Sequence, residues 1–134
     1  MKENTFNTIV AVSGTVLTYI FGGWDTVLMV LVGMMVLDYV TGLTAAAINK
    51  ELNSNIGFKG LLRKGLIAAV LILAVLLDRL LNEGTWVFRT LVCYFYIANE
   101  GLSILENVGK CGVDLPDKLV GSLEQLKNNK GEDL

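Results

Sequence analysis

An aspartate sits in the middle of an apolar run of helix length. Residues 26–48 read TVLMVLVGMMVLDYVTGLTAAAI. A run of this kind can cross a bilayer as a helix, which takes about 20 residues. Asp38 lies near its centre, where an ionised carboxylate costs at least ~2.5 kcal/mol. Such a group faces a partner, a water-filled cavity or another chain. The sequence therefore predicts an integral membrane protein whose interior, not its lipid face, carries the function.

Hydrophobic residues make up 53 % of the chain, a fraction that a very apolar soluble domain could also reach, so the segmentation decides. Apolar stretches recur at 9–21, 26–48, 65–81 and 86–105, separated by short polar breaks, and the chain turns charged after Leu105. There is one proline, and no strand-like alternation is sustained. The expected fold is an all-α membrane protein. About four transmembrane helices occupy residues 1–110. Residues 111–134 form a cytoplasmic tail with a short amphipathic helix.

The charge distribution orients these segments. The break 49–64 carries Lys50, Lys59, Arg63 and Lys64 against Glu51, whereas 22–25 and 82–85 carry Asp25 and Glu83 with no Lys or Arg. Lys and Arg accumulate in cytoplasmic loops, so this basic loop belongs inside. Four helices then put both termini inside, and Trp24 and Trp86 at the outer interface, where amphipathic aromatics collect. The first segment, short and rich in hydroxyls, is the least firmly inserted.

Several classes are excluded or disfavoured. The start, Met1-Lys2-Glu3, is poorly basic and Ile20-Phe21-Gly22-Gly23 is a poor cleavage site, which argues against a removed signal peptide. Cys93 and Cys111 lack metal-ligand spacing and there is no histidine, so neither a zinc site nor a histidine base is supported. No phosphate loop or nucleophile elbow is present. An enzyme and a nucleic-acid partner are not expected.

Polar residues within the helices form faces. Asp38, Thr41, Gly42, Ala45 and Ala46 share one face of the second segment. Small residues and hydroxyls there suit close helix packing, oligomerisation or a wet lumen. On the fourth segment Arg89, Cys93, Tyr96, Glu100, Ser103 and Asn107 form a stripe. Arg89 and Glu100 are too far apart to pair with each other. Antiparallel third and fourth helices put Asp78 and Arg89 at similar depth, which predicts an ion pair, while Arg79 could snorkel outward. Glu100 and Asp38 also fall at comparable depth. Two carboxylates so placed would hold a proton on one of them unless water or Lys64 intervenes, or else each points into its own polar pocket. Thr8, Ala11, Thr15, Thr18 and Gly22 give the first segment a small and hydroxyl stripe. In the tail, Pro116 suits a first helical turn. Leu119, Val120, Leu123 and Leu126 make an apolar stripe, predicting a helix from about Pro116 to Lys127 and fraying over 128–134.

Several motifs in order carry a family resemblance. Asp38-Tyr39-Val40-Thr41-Gly42 fits D-x-x-T-G. The stretch SNIGFKGLLRK at 54–64 fits S-x-x-G-x-x-G-x-x-(K/R)-K, and Asp78 fits an acidic residue at the end of the third helix. NEGLSILEN at 99–107 fits N-E-x-x-S-I-L-E-N, and Gly112-Val113-Asp114-Leu115-Pro116 fits G-V-x-(I/L)-P. Each motif alone is weak, but the ordered set resembles the phage lysis holins, a family that includes clostridial toxin-secretion holins. The likeness covers about residues 26–127; the first segment matches in character only.

The resemblance implies a cofactor-free protein of the host bacterial inner membrane that associates with itself in the lipid bilayer and opens large lesions. An endolysin, or a folded toxin in the secretion relatives, then crosses as cargo. The candidate helix-contact or pore-lining residues are Asp38, Thr41, Gly42, Arg89, Asn99, Glu100 and Ser103. The next methionine after Met1 is Met29, inside a helix, which argues against a second start as a timer. The alternatives are a small oligomeric ion channel or transporter using Asp38 and Glu100, and a membrane scaffold whose tail recruits a partner.

Overall fold

The computed structural model describes residues 1–131 and contains five helices, with no strand among the described residues. They are α1 (Lys2–Ile20), α2 (Thr26–Ile48), α3 (Ser54–Leu81), α4 (Phe88–Lys110) and α5 (Asp117–Gly131). Each boundary has a local cause. Gly22 and Gly23, at φ +78° and +126°, end α1 in a conformation that side chains with a Cβ rarely adopt. Asp25 then caps α2 by accepting from the Leu28 amide at 3.0 Å. Asn53 caps α3 in the same way through the Ile56 amide at 3.0 Å. Side-chain acceptors at these positions satisfy amides that the first helical turn leaves without partners.

Helices α2, α3 and α4 pack together, and α5 folds back onto α4. Leu28, Leu31, Leu71 and Cys93 form the buried centre, with Phe21, Met35, Val92, Tyr96 and Ile97 around it. Cys93 is thus a core residue. Leu123 of α5 seats on Gly101 of α4, where an added Cβ would stand 3.1 Å from its methyl carbons. Helix α1 has no buried residue. Its hydroxyl stripe is satisfied internally: Thr8, Thr15 and Thr18 donate to the carbonyls four residues back at 2.7–2.8 Å.

One expectation is met in part and two need correction. Among the described residues, α2 and α3 are the two helices long and apolar enough to cross a membrane. Helix α4 falls short because Arg89 and Glu100 interrupt it, both buried against protein partners. Second, most of the basic loop is helix: the connection is only 49–53, and Lys59, Arg63 and Lys64 ride on α3, which begins eleven residues before the apolar run at Gly65. Asn53 starts the helix early, and Phe58, Leu61 and Leu62 stay exposed on it. Third, α5 begins at Asp117, with the Pro116 carbonyl accepting from the Leu119 and Val120 amides, and continues to Gly131. The fraying expected from Asn128 therefore does not set in by Gly131, and its remainder, 132–134, lies outside the described residues.

Candidate functional site

Two polar clusters join the helices at different depths. The first is built from three of the sequence motifs. On α2, Asp38, Thr41 and Gly42 face α4, whose Asn107 amide nitrogen donates to Asp38 Oδ1 at 3.0 Å, to the Asp38 carbonyl at 3.1 Å and to Thr41 Oγ1 at 3.0 Å. Gly42 faces the same amide, and an added Cβ would lie 3.5 Å from its nitrogen, at ordinary contact distance with no room for a longer side chain in that direction. On α3, Gly57, Gly60 and Lys64 recur at helical spacing and share a face. The two glycines leave room for Tyr39: a Cβ on Gly60 would stand 3.1 Å from its ring, and the Tyr39 hydroxyl donates to the Gly57 carbonyl at 3.3 Å. One turn further on, the Lys64 ammonium lies between two carboxylates and donates to both, Asp38 of α2 and Glu100 of α4.

Of the arrangements open to Asp38 and Glu100 at matched depth, the structure has Lys64 between them. Like charges in a low dielectric are stable side by side only with an intervening cation or a proton. All three side chains are largely enclosed, 16 % exposed for Lys64, 15 % for Asp38 and 8 % for Glu100. Ser103 lines the cleft beside this trio. Asn99, half-buried, takes no part in it. The main-chain carbonyls of Leu37 and Val40 accept the hydroxyls of Thr41 and Thr44.

The second cluster lies at the other end of the bundle, and there the predicted Asp78–Arg89 ion pair is corrected. Asp78, fully buried, accepts from the main-chain amides of Phe88 at 2.9 Å and Arg89 at 2.8 Å, and from the Asn82 side chain at 2.9 Å. It caps α4 from the end of α3. The Arg89 guanidinium turns away to Asp25, at 2.8 and 3.1 Å, and to the carbonyls of Phe21 at 2.7 Å and Gly23 at 3.0 Å. The amides of α4's first turn have no acceptor within their own helix, and Asp78 supplies one. Gly22 is required as well, since a Cβ would meet Arg89 at 3.0 Å and Trp86 at 3.1 Å. The hydrogen bond from Arg89 holds the Asp25 carboxyl below its ordinary value of 3.8, against the opposing effect of burial. Arg79 reaches the Tyr19 carbonyl at 2.7 Å and lies 4.0 Å from the centre of the Tyr19 ring.

Sequence reading leaves two of these residues without a role. Asp25 counts there only as a loop charge, although its place just before Thr26 is a capping signal and it shares a depth with Arg89. Asn107 appears there only as the last residue of a stripe and of a motif, yet it ties α4 to both polar residues of the α2 motif.

The same motifs meet a known family pattern. The pattern of the bacteriophage holin family matches residues 15–128. The chain belongs to this family. An uncharacterized 14.9 kDa protein in the nagH 3' region of Clostridium perfringens is 53 % identical over 131 residues, covering 96 % of this chain and 99 % of that protein. An uncharacterized protein of Clostridium acetobutylicum is 48 % identical over 120 residues, 90 % of this chain and 96 % of the relative. A probable holin of Bacillus phage phi105 is 35 % identical over 115 residues, 85 % and 83 % of the two chains. No solved structure matches. Holins are not enzymes; membership together with the apolar α2 and α3 makes this a membrane protein with a role in membrane permeabilisation.

Proposed function

We propose that the chain is a holin that accumulates in the inner membrane of a bacterial host, associates with itself and opens lesions through which an endolysin, or a folded toxin, leaves the cytosol. In this reading the less apolar α1 and α4 cross the bilayer beside α2 and α3, both termini are cytoplasmic, and α5 lies on the inner side. The observation that carries it is the enclosure of charge. Asp38 and Glu100 share the Lys64 ammonium between helices, and the buried Arg89 guanidinium is paired with the half-exposed Asp25 at the outer end. Apolar side chains such as Val36, Leu37, Leu73 and Leu76 point outward. A subunit built this way can sit among lipids as an intact permeability barrier while copies accumulate. Lesion formation then needs new contacts between copies, for which the unburied α1 is the available element. A channel using Asp38 and Glu100 as cation ligands is less well supported, because Lys64 already occupies both carboxylates.

The test is induced expression with and without a cytosolic endolysin, following viability and release of a folded cytosolic reporter. Lysis only when both proteins are present, with reporter release on a defined schedule, is the expected result. Absence of permeabilisation at every expression level refutes it. A cysteine at Ser54 should be labelled only from the cytoplasmic side; labelling from outside overturns the four-span arrangement.

A further inference from the structure

We propose that the cleft between the start of α3 and the inner halves of α2 and α4 binds the phosphate headgroup of an anionic phospholipid, with Lys59 and Arg63 as its ligands. The inference rests on the membrane-spanning reading of α2 and α3. The cleft has a volume of about 280 Å³ and is lined by Lys59, Arg63 and Lys64 on one side and by Asp38, Tyr39, Ser103 and Asn107 on the others. Its charges are unequal. Lys64 is held by Asp38 and Glu100, whereas Lys59 and Arg63 are exposed and have no ion-pair partner among the described residues. The mouth therefore keeps two positive charges without ion-pair partners, over a floor of hydroxyl and amide groups and the Asp38 carboxylate that Lys64 holds.

Depth selects the occupant. Helix α3 has 28 residues, about 42 Å at 1.5 Å per residue, against a hydrocarbon core of about 30 Å. Counting inward from Leu81, Arg63 falls about 27 Å and Lys59 about 33 Å along the helix, where the inner headgroups begin. A basic pocket between helices on the cytoplasmic side is suited to an anionic headgroup. Beside it Phe58, Leu61 and Leu62 are exposed and can lie along the acyl chains. Tyr39, seated on Gly57 and Gly60, fixes the start of α3 against α2 and so holds the cleft open to the bilayer surface.

The test is lipid binding by the purified full-length protein in neutral detergent, measured by native mass spectrometry with phosphatidylglycerol, phosphatidylcholine and inorganic phosphate as separate probes. Phosphatidylglycerol should bind about thirty-fold more tightly than phosphatidylcholine, the effect of two bases near a membrane surface. Lys59→Gln with Arg63→Gln should abolish that preference, and Lys59→Arg with Arg63→Lys should keep it. Both pairs lie on an exposed face, and protection of Cys93 from alkylation confirms that each variant is folded. Equal binding of the two lipids, or a preference that survives the glutamine pair, overturns the proposal. Displacement of phosphatidylglycerol by an equal concentration of inorganic phosphate also overturns it, in favour of a free-phosphate site. Because lipid preference is read without lysis, its failure is distinguishable from failure of the holin reading.

Discussion

Replacing Lys64 with methionine removes the cation that two buried carboxylates share. Removing one member of a buried, hydrogen-bonded ion pair typically costs about 3–5 kcal/mol, because the remaining charge keeps its desolvation and loses its partner. Here one substitution strands two charges. Asp38 retains the Asn107 amide at 3.0 Å, but that neutral donor cannot offset the carboxylate of Glu100 beside it. A loss of about 3–5 kcal/mol is a large fraction of the 5–15 kcal/mol that typically holds a folded domain together. The assay follows alkylation of Cys93, which is 0 % exposed in the core, during a denaturant titration in detergent, with Cys111→Ser removing the other thiol. Lys64→Met should expose Cys93 at markedly lower denaturant. The triple variant Lys64→Met, Asp38→Asn, Glu100→Gln removes the charges with the cation and should recover most of the loss, since uncharged replacements of buried ion pairs are often neutral. The reasoning fails if Lys64→Met unfolds within 1 kcal/mol of the parent, or if the triple variant is no more stable than the single one.

Three further outcomes are expected. Gly60→Leu forces a side chain into the Tyr39 ring, 3.1 Å from the first added carbon, and should destabilise by about 1–3 kcal/mol in the same titration, with Tyr39→Ala in the same chain relieving part of it. Gly42→Leu displaces the Asn107 amide, 3.5 Å from the added Cβ, and should delay or abolish lysis at unchanged membrane abundance; wild-type timing counts against this face. Asp25 has its carboxyl pKa lowered by Arg89, so its contribution to stability is complete above the ordinary value of 3.8 and is lost as pH falls through the lower folded value. The stability difference between the parent and Asp25→Asn should therefore be constant near neutrality and shrink only below about pH 3.8. A difference that already shrinks at pH 6 refutes the assignment.

Helix positions were largely legible because apolar runs and glycine-rich breaks are local signals. The start of α3 was less so: charge marks a cytoplasmic segment equally well whether it is loop or helix, and only the Asn53 cap distinguishes the two. The inner site was half legible. Matched depth brought Asp38 and Glu100 together and named Lys64 as an intervening cation, but depth is a coordinate along one axis. It does not say which way a side chain turns, so separate pockets stayed open until the helices were packed. The same limit explains the outer end. Asp78 and Arg89 do lie at one level, yet Asp78 takes main-chain amides, whose needs are invisible in a list of side-chain charges. The packing of α5 on Gly101 depends on a tertiary contact that the tail's own apolar stripe cannot specify.

The outer cluster has a consequence for how the sequence can vary. Asp78 reads the amides of residues 88 and 89, and Arg89 reads the carbonyls of residues 21 and 23. Main-chain groups are the same whatever side chain they carry, so these contacts transmit no demand to the identities of Phe21 or Phe88. The information that fastens four helix ends is concentrated in Asp25, Asp78, Arg89 and the glycine at 22 that makes room for them. A position that meets the joint through its main chain and is otherwise exposed, as Phe88 is, can change with the membrane around it without loosening the joint.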